Sequence, residues 1–244
     1  MKGFSERLAE LLDGLADPWR AQMKHQADLL AQSGALSPEG LKAAIEDGSL
    51  ADETRGAAFW LVGQMPIKSA IPSLLRLLRD AEASVRREAA DALGRLKSKR
   101  PIEPLIEAML CDSNLEVREA AAYALGNIDD NRAVEPMLKV LTDSSEPPTL
   151  RGIVAEQLGW LGDTRAVPAL LAALEDQSVE VRFWAVHALG WVGRQDVIPR
   201  LQAVAATDKA VLPPYGPIDK EARESIDTIA RMGRIEDRKI DDRG

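Results

Sequence analysis

Apolar residues return at intervals of three and four along most of the chain, the spacing that lays a stripe down one face of an α-helix. Val, Ile and Thr nowhere alternate with polar residues over a strand-length run, so the pattern predicts an all-helical protein without strands. The stripe itself repeats. Arginine recurs at 55, 86, 118, 151 and 182, at spacings of 31, 32, 33 and 31 residues. Glycine follows each arginine by eight residues, at 63, 94, 126, 159 and 190, and proline comes next at 72, 104, 136, 168 and 199. The third copy, from Val117 to Leu141, reads VREAAAYALGNIDDNRAVEPMLKVL.

Each unit predicts two helices. The first runs from the arginine to just past the glycine, and the second is entered near the proline, whose missing N–H costs nothing in a first helical turn. Polar stretches such as Asp129-Asp130-Asn131 and Gly162-Asp163-Thr164 supply the turn between them. A lone helix pair cannot bury its own stripe, so successive pairs stack and share one core. The expectation is a right-handed α-solenoid with five two-helix units over residues 53–208. Paired alanines, Ala89 with Ala90 and Ala121 with Ala122, allow close helix approach; Leu93, Leu125, Leu158 and Leu189 fill the core.

The flanks break the period, as caps of an array should. Residues 1–52 predict three helices, the second entered at Asp17-Pro18 and the third at Ser37-Pro38-Glu39, closing near Gly48. Residues 209–233 hold a Pro-rich insertion, Val211 to Pro217, and a capping helix with Ala222, Ile226 and Ile229; residues 234–244 read as a charged, frayed tail. All of this is expected to form one continuous domain.

The Val-Arg, Ala-Ala, Ala-Leu-Gly and Ala-Val-Pro elements within residues 85–176 resemble the short HEAT-like repeats of the phycobilisome-lyase type. Tetratricopeptide and ankyrin repeats have similar lengths, but their Trp-Leu-Gly-Tyr and Thr-Pro-Leu-His signatures are absent. The resemblance covers about residues 53–208 and is specific for fold rather than function, because that repeat type serves bilin lyase subunits, scaffolds and inhibitors alike. One enzymatic relative, deoxyhypusine hydroxylase, holds iron through His-Glu pairs. Here His25 precedes Gln26 and His187 precedes Ala188, so that activity is excluded. HEAT-like DNA glycosylases work on a cationic surface for which this sequence has no counterpart.

At 100° per residue, positions 3, 4, 7 and 10 after each arginine share one side of the first helix, and positions 1, 2, 5 and 9 share the other. The second set is expected to line a concave surface, and it collects six of the chain's ten aromatic residues. Trp60 belongs to the first unit; Arg87, Asp91 and Arg95 to the second; Tyr123 and Asn127 to the third; Glu156 and Trp160 to the fourth; Phe183, Trp184, His187 and Trp191 to the fifth. Tyr215, in the insertion beside the fifth unit, joins them. The alternative for any single tryptophan is that it fills a gap between neighbouring helices where alanine would leave a void.

Charge narrows the partner class. With 31 Lys and Arg against 39 Asp and Glu the net charge is −8, and the expected face carries Arg87 and Arg95 against Glu88, Asp91, Glu119 and Glu156. Nucleic acid requires a basic stripe, and none is present. No apolar run approaches the ~20 residues of a membrane span, and Glu6 interrupts the N-terminus early, so neither a span nor a secretory signal is expected. One cysteine, Cys111, and two histidines offer no disulfide and no metal set; a reduced, cytoplasmic, cofactor-free protein is expected. Cys111 has no base near it in sequence, and Glu156 stands two units from Asp91, too far for shared acid–base work. Arg86, Arg118 and Arg182 each follow an aspartate by six residues, which predicts a ladder of Asp–Arg contacts between units.

The sequence therefore favours a non-enzymatic interaction module gripping a protein or peptide in its groove. The alternative implied by the resemblance is a phycobilin-lyase-like subunit or pigment chaperone, with an open-chain tetrapyrrole stacked on the tryptophans. A third reading is an immunity-type inhibitor whose acidic surface binds a basic toxin with strong salt dependence.

Overall fold

The computed structural model describes the backbone of residues 3–193 and 195–241, and the side chains of these residues up to 232. It is an α-solenoid of helix pairs, with fourteen α-helices among the described residues. Over residues 3–52 the chain forms three helices, α1 (Phe4–Asp13), α2 (Trp19–Gln32) and α3 (Pro38–Glu46). Ser37 caps α3, its hydroxyl accepting from the Gly40 N–H at 3.0 Å. First helices follow as α4 (Asp52–Gln64), α6 (Ala83–Arg95), α8 (Leu115–Ile128), α10 (Pro148–Leu161) and α12 (Val179–Val192). Second helices alternate with them as α5 (Ile71–Leu77), α7 (Ile102–Cys111), α9 (Val134–Thr142), α11 (Val167–Ala173) and α13 (Ile198–Thr207).

Two details differ from the sequence expectation. First helices begin three residues or so before the arginine, because a repeated aspartate starts the turn earlier. Asp47, Asp80, Asp112, Asp143, Asp176 and Asp208 each accept the backbone N–H two residues on, at 2.8–3.0 Å. The Pro-rich insertion, expected to contain no strand, forms a small antiparallel ribbon of β1 (Val211–Leu212) and β2 (Gly216–Pro217). Gly216 sits at φ +121°, a conformation open to glycine alone, and lets the turn close. The last helix, α14 (Ile218–Asp241), continues past the expected cap boundary into the charged segment; residues 242–244 lie outside the described residues.

The chain divides into two compact units. The first comprises Met1–Ala108 and Asp112–Ile128, the second Met109–Cys111 and Asp129–Gly244. Each unit is held by the same joint. Ala89, Ala90 and Leu93 of α6, like Ala185, Val186 and Leu189 of α12, are fully buried, as the helical stripe predicts. The repeated glycine explains the close fit: a Cβ on Gly94 would stand 2.7 Å from the Ala124 Cα, and one on Gly159 2.6 Å from the Ala188 Cα. At the C-terminal end Ser225 of α14 takes the alanine's place, 2.7 Å from such an atom on Gly190. That serine donates to the Val186 carbonyl at 3.1 Å, so its hydroxyl is satisfied where it is buried.

The Asp–Arg ladder forms with a shifted register. Arg86 reaches forward to Asp112 with a bidentate pair at 2.7 and 2.8 Å, and takes only the backbone carbonyl of Asp80. Arg151 pairs in the same way with Asp176, and Arg182 with Asp208 at 2.7 Å. The hydrogen bond from Arg86 holds the Asp112 carboxyl below its ordinary range against the opposing pull of burial.

Candidate functional site

The predicted face residues fall in both units. Trp60, Arg87, Asp91, Arg95, Tyr123 and Asn127 belong to the first unit, and Glu156, Trp160, Phe183, Trp184, His187, Trp191 and Tyr215 to the second.

In the second unit the aromatic cluster splits into a buried half and an exposed half. Phe183 and Trp184 were expected on the open surface, yet they are only 3% and 9% exposed. Their burial has two causes. Gly152 on α10 has no side chain, and a Cβ there would lie 3.1 Å from Trp184 Cδ1; the indole lies in the space that the glycine leaves. From the other side Tyr215 of the ribbon packs on both rings, 5.7 Å from Phe183 and 4.9 Å from Trp184 between centroids. These two residues are therefore packing residues, while Tyr215 itself stays 60% exposed as their cover.

Trp160 and Trp191 form the exposed half. At the ends of α10 and α12 their rings stack at 4.6 Å with a 33° tilt, and they remain 52% and 42% exposed. A polar chain fixes them. The Trp191 indole N–H donates to His187 Nε2 at 3.0 Å, and His187 Nδ1 faces the Glu221 carboxylate of α14 at 2.8 Å. An indole N–H can only donate, so Nε2 accepts and the ring proton sits on Nδ1, directed at Glu221. On the Trp160 side the Glu156 carboxylate is bonded to the indole and to the Gln157 amide; burial pushes its pKa above the ordinary range despite those bonds. Glu221 is the member of this chain of contacts that the sequence does not signal. It lies 34 residues beyond His187, and only its place on the capping helix hints at its role.

The first unit presents a different site. A cavity of about 570 Å³ opens between α2, α4 and α6, lined by Trp60, Arg87, Asp91 and Arg95 of the predicted set and by Trp19 of the N-terminal cap. Trp19 and Trp60 meet edge to face at 6.2 Å and 84°. Arg87 binds Glu88 at 2.7 Å and lies 3.7 Å from Asp91. Burial raises the pKa of both carboxyls, outweighing the nearby arginines. Tyr123 and Asn127 on α8 are exposed and do not line this cavity. Cys111 is exposed, and among the described residues no group of three or more His, Cys, Asp or Glu could hold a metal ion. No helix among them is long and apolar enough to cross a membrane.

A family model for HEAT repeats matches residues 38–110, 71–149 and 135–212. Among solved structures, the complex of CpcE and CpcF of phycocyanin lyase from Nostoc sp. PCC7120 is similar at 27% identity, over 70% of this chain and 70% of that one, with a TM-score of 0.57. An engineered protein is similar at 22% identity over 80% of this chain and 96% of its own, with a TM-score of 0.54. YibA of Escherichia coli is similar at 17% identity over 95% and 98%, with a TM-score of 0.51. The latter two share the fold alone. No curated protein sequence matches the chain.

Proposed function

This chain belongs to the HEAT-repeat family, and from that premise we propose that it is a non-enzymatic interaction module which grips a protein or peptide through the Trp160–Trp191 face of its second unit. The observation that carries this reading is the stacked, half-exposed tryptophan pair held by His187, Glu221 and Glu156. Two large rings fixed in place lose little entropy on binding, and tryptophan is among the residues that dominate interface energy. The test combines Trp160→Ala with Trp191→Ala in protein drawn gently from extract of its own source and weighed by native mass spectrometry. A stoichiometric protein adduct lost in the double variant, with helicity unchanged, supports the reading; an adduct retained at full stoichiometry overturns it.

A second reading rests on the similarity to the phycocyanin lyase complex. The same tryptophan pair would stack an open-chain tetrapyrrole, with His187 as a polar contact, and the chain would act as a lyase-like subunit or pigment chaperone. Titration with biliverdin discriminates. A saturable absorbance shift abolished in the double variant replaces the protein-partner reading; no shift removes the pigment.

A further inference from the structure

The cavity of the first unit has an architecture that the second unit helps to interpret. Both units place a glycine one residue after the repeated arginine of a first helix, Gly56 on α4 and Gly152 on α10. The following first helix carries a residue two positions after its own arginine. In the second unit this residue is Trp184, which closes the space together with Glu180 of the same helix. In the first unit it is Glu88, and a Cβ built on Gly56 meets nothing within 4 Å. Here the space stays open to a cavity of about 570 Å³, within the size of ordinary ligand pockets.

Its lining sets the chemistry. Trp19 and Trp60 form a right-angled aromatic corner, a geometry that offers a ring face to a flat cation. Gln26 of α2 accepts from the Thr54 hydroxyl at 2.8 Å, which ties the wall bearing Trp19 to α4. Carboxylates outnumber guanidiniums. Asp52, Glu53 and Glu82 line the cavity without an ion pair among the described residues, in addition to Glu88 and Asp91. Of the cations that line it, Arg55 is engaged, donating to the Ile45 carbonyl at 3.0 Å and lying over Phe59. Arg87 is engaged with Glu88, and Arg95 is exposed. An anion would meet this acidic excess, and among the described residues no three carboxylates converge as a metal would require.

We propose that this cavity receives one arginine side chain of a partner peptide, its guanidinium laid against the Trp19–Trp60 corner and paired with the cavity carboxylates. Arginine fits better than lysine because a planar, weakly hydrated guanidinium stacks on indole while it bonds carboxylate oxygens in its own plane. The site is independent of the Trp160–Trp191 face, and the two are tested separately.

The probe is a capped Gly-Arg-Gly peptide, titrated calorimetrically into the full chain at low salt, with Gly-citrulline-Gly as its neutral isostere. One saturable site is expected for the arginine peptide, with the citrulline peptide at least about tenfold weaker. Trp60→Ala and Asp91→Asn should each weaken binding about tenfold, whereas the Trp160→Ala, Trp191→Ala double variant should bind as the parent does. Glu53→Gln, at the exposed edge of the cavity, repeats the charge test without touching the packed helices, and circular dichroism checks every variant for folding. Equal binding of citrulline, unimpaired binding by folded Trp60→Ala and Asp91→Asn, or no saturable binding at millimolar peptide overturns the proposal.

Discussion

His187 holds Trp191 with one ring nitrogen and faces Glu221 with the other, so a single side chain couples a surface ring to the capping helix. His187→Phe keeps the aromatic packing on Trp184 and deletes both polar contacts. The expected result is greater acrylamide quenching of tryptophan fluorescence with unchanged far-UV circular dichroism; unchanged quenching would mean that the stack on Trp160 suffices to hold the ring. Sequence periodicity placed Trp160, His187 and Trp191 on one surface, because helical phase alone decides that. The same phase put Phe183 and Trp184 there, and the structure buries both. What covers them is Gly152 on the preceding helix and Tyr215 on an insertion, contacts that phase within one helix does not contain.

Between elements, the decisive atom is a hydrogen. Gly94 lets α6 approach α8 to where a methyl group would stand 2.7 Å from backbone, while Gly56 on α4 faces open space. The same substitution should therefore have opposite signs at the two positions. Gly94→Ala gains helix propensity but overpacks the joint, for an expected destabilisation of about 1–3 kcal/mol. Gly56→Ala gains up to about 1 kcal/mol from propensity with no clash. Urea unfolding of both variants checks the pair; a stabilised Gly94→Ala would mean that the helices shift apart at little cost. The repeat of arginine, glycine and proline made the helix pairs legible, since each residue type answers a local backbone or packing demand. The cavity was less legible. Trp60, Arg87, Asp91 and Arg95 could be read from the period, but Trp19 comes from the cap, where no period applies.

Across the whole molecule, ionisable groups pull stability in two directions as pH changes. Asp112 has a folded pKa held below its unfolded value by the Arg86 hydrogen bond. Its stabilising contribution is complete above the ordinary carboxylate range and is lost as pH falls through the folded value. Glu88, Asp91 and Glu156 act oppositely: their raised folded values favour the folded state in acid, an advantage lost as pH rises through them. Asp112→Asn preserves an acceptor for the turn but removes the charge from a pair whose side chains are largely buried. An expected loss of about 2 kcal/mol at pH 7, with a smaller further loss between pH 6 and pH 3, follows. Thermal unfolding across that range checks it, and a variant as acid-sensitive as the parent would place the dependence elsewhere.

The joint between Gly190 and Ser225 assigns a register to α14, and that register has a bearing on how the ladder ends. Ala124 and Ala188, which meet the glycines of the helices before them, each lie six residues after a repeated arginine, Arg118 and Arg182; six residues before Ser225 stands Asp219. It is occupied by Lys209 at 2.8 Å and Arg223 at 2.9 Å. Earlier joints recruit the next turn aspartate with a guanidinium, as Arg86 does with Asp112, but this position carries a carboxylate. The last helix thus keeps the close glycine joint of the repeat while exchanging its forward-reaching guanidinium for a carboxylate, and the ladder ends on Lys209 and Arg223 instead of on a further turn aspartate.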